Sequence, residues 1–168
     1  MSLQPLTREV ALPTTSVLLA RAAHSLASRP SIWTPLVRFD ADERYYARIP
    51  LRLAITGGFE SWLLTWLPGQ RTGWHDHGGS AGAVVVVRGA LTERLLAGSA
   101  SEPVEQRELT RGRVRPFGRD HRHEMINRST EPAVSIHVYA PELTTMTRYR
   151  FDGADLVPTS VERAGLQW

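Results

Sequence analysis

The apolar positions of the chain change period part-way along it. Val17, Leu18, Ala22 and Leu26 recur at helical spacing behind Thr14, Thr15 or Ser16, any of which can cap a helix. The pattern predicts a helix running to about Ser28, where Arg29-Pro30 ends it. A second short helix is expected over Ser31 to Phe39, interrupted or started around Pro35, and Asp40 to Arg44 reads as a polar connector. From Tyr45 onward, short runs rich in Val, Leu, Ile, Trp and Tyr alternate with Gly, Pro, Asp and Ser. Strands are expected near 45–49, 51–56, 60–67, 83–88, 91–97, 104–109, 113–116, 122–127, 133–139 and 146–150. No long helical pattern separates them, which argues against a parallel sheet with crossover helices. The expected fold is all-β and single-domain, a small barrel or jelly-roll with short N-terminal helices. Residues 1–44 would pack on the barrel, 45–150 would form it, and 151–168 would be a C-terminal tail.

Composition narrows this only a little. A chain of 168 residues, 42% of them apolar, suits one domain with a real core. No apolar run approaches the ~18 residues needed to cross a bilayer. The N-terminus lacks a charged segment followed by an apolar core, so neither a signal peptide nor a membrane partner is expected. There is no cysteine, hence no disulfide, no thiolate ligand and no cysteine nucleophile, which fits a cytoplasmic protein. All 20 basic residues are arginine and the formal net charge is only +3. The densest basic stretch, Arg111 to Arg122, contains one aromatic residue, Phe117. That reads as a solvated hairpin face, and no nucleic-acid partner is expected.

The candidate chemistry lies in the histidines. His75 and His77 are two apart in Trp74-His75-Asp76-His77-Gly78-Gly79, so on a strand both point to one face and could share a divalent metal. Alone, the same pair could be two surface histidines in a turn. A second cluster is His121-Arg122-His123, followed by Asn127. In Ser135-Ile136-His137-Val138-Tyr139, period two puts Ser135, His137 and Tyr139 on one face and Val134, Ile136 and Val138 on the other. Such a polar row, if buried, must bond internally or to a ligand.

The spacing follows the two cupin motifs. Gly69, five residues, His75-x-His77 and then Gly89 match the first; Gly112, Pro116, Gly118 and His123-x-x-x-Asn127 match the second, with a shortened gap. The glutamate that normally follows in the first motif is missing, since its places hold Ala81 and Gly82. A centre of three neutral histidines leaves Fe(II) its full charge and suits a substrate that brings its own anion, such as a thiolate. A three-histidine zinc hydrolytic site has the same ligands.

The chain resembles the cysteine dioxygenase family of cupins. The resemblance is carried by Tyr46-Ala47-Arg48, Leu67-Pro68-Gly69-Gln70, His75 to Ser80, and Thr130 to Tyr139, within roughly residues 30–143. It implies a β-barrel, Fe(II), O2 and conversion of a small thiol to a sulfinate, with L-cysteine the first candidate substrate; a monomer is expected. His75, His77 and His123 are the implied iron ligands, His123 being preferred over His121 because Asn127 follows it by four. Ser135, His137 and Tyr139 are the implied catalytic hydrogen-bonded row. Arg48 is the implied clamp for the substrate carboxylate, with Tyr46 beside it; Arg44 or Arg52 takes that role if the register slips. Some family members have a cysteine in place of Gly82 that crosslinks to the tyrosine; this chain cannot form that thioether. Other readings are a dioxygenase for 3-mercaptopropionate, a non-oxidative cupin isomerase or epimerase, and a metal-dependent binding module.

Overall fold

A computed structural model describes residues 15–50, 58–96 and 104–164. The expected strand at 51–56, together with Arg52, lies outside the described residues. Helix α1, Thr15–Ala27, forms where the apolar stripe predicts it, and buries Leu19, Ala22, Ala23 and Leu26. The second helix is shorter than expected. It is one turn, α2, Pro30–Trp33, followed by a 3-10 turn over Thr34–Leu36. Pro35 lacks the N–H that a continuing helix needs.

Eleven strands follow among the described residues: β1 Tyr46–Arg48, β2 Glu60–Trp66, β3 Trp74–His75, β4 Ala81–Arg88, β5 Ala90–Leu96, β6 Val104–Thr110, β7 Val114–Phe117, β8 His123–Ile126, β9 Ala133–Ala140, β10 Thr145–Asp152 and β11 Asp155–Arg163. They form two antiparallel sheets, ordered β1-β2-β9-β4-β7 and β11-β10-β3-β8-β5-β6. The fold is the expected all-β one. Two strands go beyond the expectation. β3 has two residues, too few to show a period. β11 lies where a tail is expected, and it pairs with β10 from Thr145↔Arg163 to Asp152↔Asp155.

The core has two parts. Alternate residues of β4 (Ala81, Ala83, Val85, Val87) and of β9 (Val134, Ile136, Val138, Ala140) pack with α1 in one apolar cluster. Residues pointing the other way, including Val84, Val86 and Trp66, meet Leu91, Leu109 and Met125 in a second cluster. His75, His77, His123 and His137 are also buried. Among the described residues no helix is long and apolar enough to cross a membrane.

Candidate metal centre

The sheet register assembles the site. β3 lies between β10 and β8, and pairs His75 directly with His123. His77 follows two residues later, beyond the strand end. Its turn is held by Asp76, whose Oδ1 accepts the Gly78 and Thr147 amides at 3.1 and 2.9 Å. Asp76 Oδ2 accepts the Tyr149 hydroxyl at 2.7 Å. Gly78 has φ +56°, and a side chain there would run into Thr145, so glycine is required. The three rings then lie with centroids 4.7–5.0 Å apart. One ligand nitrogen from each of His75, His77 and His123 falls within 4.8 Å of the others.

The donor set fits a divalent metal. His75 Nδ1 donates to the Gly73 carbonyl at 3.0 Å, and His123 Nδ1 to Glu93 Oε1 at 2.9 Å. Each therefore keeps an unprotonated Nε2. Both ring nitrogens of His77 are buried without a hydrogen-bond partner. Orphaned polar atoms at this depth are costly unless a ligand completes them. Burial, reinforced by the other histidines, holds the His75 and His77 pKa values well below normal. His123 is lowered by burial too, with Glu93 opposing. All three are neutral, the form that binds metal.

A second cluster, Glu93, His121 and His123, also has three potential ligands. Here every contacting group is satisfied. Glu93 Oε1 accepts His121 Nε2 at 2.8 Å as well as His123, and Oε2 faces Arg115 Nε at 3.4 Å. Burial alone would raise the Glu93 pKa; the two histidine hydrogen bonds outweigh it and bring it far below the carboxylate range. The sequence motifs do not point to Glu93, although a signal exists: it alternates with Leu91 and Leu95 on the inward face of β5.

The polar row of β9 is buried along its length. Ser135 Oγ lies 2.8 Å from His137 Nε2, and Tyr139 Oη 3.4 Å from His137 Nδ1. Trp66, which the sequence pattern does not single out, extends the row by donating Nε1–H to Ser135 Oγ at 2.9 Å. Trp66 Nε1–H can only donate, so Ser135 Oγ accepts from it. With the Ser135 hydroxyl hydrogen turned to His137 Nε2, the single His137 proton sits on Nδ1, facing Tyr139, and the tyrosine's own hydrogen is free to point outward. Burial lowers the His137 pKa to about 3 and raises that of Tyr139, so both stay neutral.

Tyr139 lies against His77 at 5.3 Å between ring centroids, and it also lines a cavity of about 540 Å³. Arg44, Tyr46, Trp62, Met146 and Arg148 are among the other lining residues. Arg48 is not. It lies at the sheet edge on the same face as Trp62, with its side chain 59% exposed, and its Nη2 pairs with Glu60 Oε2 at 2.6 Å. Arg44 is half-buried, 4.9 Å above the Trp66 ring. Its Nη1 donates to the Arg71 carbonyl at 3.1 Å, and its Nε has no partner. Desolvation, then repulsion from Arg148, lowers the Arg44 pKa to about 10, which leaves it a cation. Gly82 faces Phe117, and any side chain at 82 would run into that ring. Phe117 stacks on His77 and His121, each at 4.8 Å.

Two antiparallel sheets around a buried cluster of three histidines that can hold a metal are the arrangement of a cupin. The family pattern of cysteine dioxygenase type I matches residues 8–152, and the chain belongs to that family, a thiol dioxygenase branch of the cupins. Solved structures show the same fold. The TT1209 protein of Thermus thermophilus is 22% identical at a TM-score of 0.54, over 64% of this chain and 92% of that one. A Klebsiella pneumoniae protein with a double-stranded β-helix domain is 18% identical at 0.53, over 76% and 93%. A cupin sugar phosphate isomerase from Silicibacter pomeroyi is 22% identical at 0.51, over 73% and 78%. At these identities the likeness concerns the fold alone. No curated protein compared with the chain matches it.

Proposed function

We propose that this protein is an Fe(II)-dependent dioxygenase that converts a small carboxylate-bearing thiol, L-cysteine first among them, and O2 to the sulfinate. The observation that carries this reading is the join at Tyr139. The residue touches the orphaned His77 on one side and the cavity on the other, and the Trp66-Ser135-His137 chain backs it.

His75, His77 and His123 would hold the iron. Bound there, Fe(II) would supply the redox chemistry by which both oxygen atoms of O2 are added to the sulfur of a thiolate. The protein's own residues do the rest. The neutral Tyr139 hydroxyl, its oxygen engaged by His137 Nδ1–H, offers its proton toward the reacting atoms. His137 and Ser135 fix that direction without titrating. Two buried donors on the cavity wall, Arg44 Nε and Trp62 Nε1, have no acceptor of their own. A substrate carboxylate in the cavity would supply the acceptor they lack. The anchoring role falls better on Arg44 than on Arg48, the arginine at the position that the family resemblance implies, because Glu60 already neutralises Arg48.

Anaerobic loading with Fe(II), then O2 uptake with L-cysteine, cysteamine and 3-mercaptopropionate, tests this. L-cysteine should give the highest kcat/KM, because it alone presents thiolate, amine and carboxylate together. Arg44→Gln should lower that value by about 10- to 1000-fold, as expected when a charge-assisted pair is lost. Arg48→Gln should change it less. No O2 uptake with any thiol would end the dioxygenase reading, and a larger loss in Arg48→Gln would return the clamp to Arg48.

A further inference from the structure

The first cupin motif of this chain lacks its carboxylate ligand, yet a carboxylate stands one imidazole away from the centre. Glu93 Oε1 is buried and accepts His123 Nδ1–H at 2.9 Å. A carboxylate behind a ligating histidine makes its far nitrogen a stronger donor and tightens metal binding. At Glu93 that effect is divided. The same oxygen accepts His121 Nε2–H at 2.8 Å, and Arg115 faces the other oxygen at 3.4 Å. His121 is held for this by the Phe117 ring, 4.8 Å away and tilted 21°.

We propose that Glu93 sets the donor strength of His123, and that His121 limits it by taking a share of the same carboxylate oxygen. Neither is a ligand or a catalytic residue; both are positioning residues acting through His123. The proposal rests on reading His75, His77 and His123 as the metal ligands. It has a signature that simple structural support lacks, because the two residues act with opposite sign. Removing the charge of Glu93 leaves His123 a weaker donor, which disfavours the more oxidised metal. Removing the His121 donor concentrates the charge on His123 and does the reverse.

The variants are Glu93→Gln, nearly isosteric, and His121→Phe, which keeps a ring against Phe117. Affinity for Co(II) alone is measured by chelator competition, and the Fe(III)/Fe(II) midpoint potential by redox titration without substrate. Glu93→Gln should weaken Co(II) binding by about 10- to 100-fold and raise the potential. His121→Phe should bind Co(II) at least as tightly as the parent and have a lower potential. If Glu93→Gln does not fold, the fall in potential of His121→Phe alone decides, and its absence overturns the proposal. Shifts of the same sign in both variants, or none, overturn it while leaving the metal centre intact. Two equivalents of Co(II) in the parent would make Glu93 and His121 ligands, and would also overturn it. A parent that binds neither metal overturns the three-histidine centre itself.

Discussion

Strand β9 is buried at every position, yet its two faces do different work. Val134, Ile136 and Val138 lie under Leu19, Ala22, Ala23 and Leu26 of α1. Ser135, His137 and Tyr139, one residue out of phase, point into the barrel and bond to one another and to Trp66. The apolar face gains stability in proportion to the area it hides, ~1.5–3 kcal/mol for a fully buried large aliphatic side chain. The polar face gains little net, about 1 kcal/mol per hydrogen bond, and loses more than that when one partner is removed. Equal burial therefore has two meanings here. One face sustains the fold, and the other is tolerated because its groups bond to one another and end beside the three-histidine cluster.

The largest effects should fall on the polar side. His77→Ala should abolish metal binding and O2 uptake while the apo-protein keeps its circular dichroism spectrum, because the His77 ring contributes no hydrogen bond to the fold. A variant with full metal content would show that the three-histidine assignment is wrong. Ile136→Ala, one residue from His137 but facing α1, should do the opposite. Urea denaturation should show a loss of about 2–5 kcal/mol, with the folded fraction still binding metal. If metal affinity fell as far as stability, the two faces would not be separable.

Tyr139→Phe sharpens the contrast within the polar face. Turnover should fall by roughly 10- to 1000-fold, the range for a positioned proton donor, with metal content and melting temperature close to the parent's. Wild-type turnover would reduce the row to a structural one.

The last effect is on acid stability and is absent at neutral pH. His137 titrates at about 3 in the folded protein, chiefly because of burial, against 6.5 for an ordinary histidine. Below pH 6.5 the unfolded chain takes up a proton that the folded one refuses. Stability present above pH 6.5 is thus lost as pH falls toward 3, by up to about 1.4 kcal/mol per pH unit from this group. Urea titrations of apo-protein should show a shallower decline in His137→Gln. Parallel declines in parent and variant would mean that His137 is already charged in the fold.

Much of the fold is legible in the order of the amino acids. The helical stripe of α1, most strands and the alternation of β9 follow from local periods, which a chain carries wherever its neighbours lie. The pairing of His75 with His77 on one face is equally local. The short β3 is not visible there because two residues have no period. β11 escapes notice because its residues are largely exposed, and no apolar alternation marks it.

By itself, then, the sequence determined the antiparallel barrel, the His-x-His pair, the polar row and the absence of any cysteine to crosslink Tyr139. Tertiary structure alone decided what lies opposite each of these. It set His123 against His75 through sheet register, extended the row to Trp66, and put Glu93 between His121 and His123. It also left Arg48 at an exposed edge with Glu60 while half-burying Arg44 beside the cavity. The reason is physical. Which face a side chain takes depends on its own strand. Which partner it meets depends on strand order and on the path of a long side chain across the sheet, and no local period encodes either.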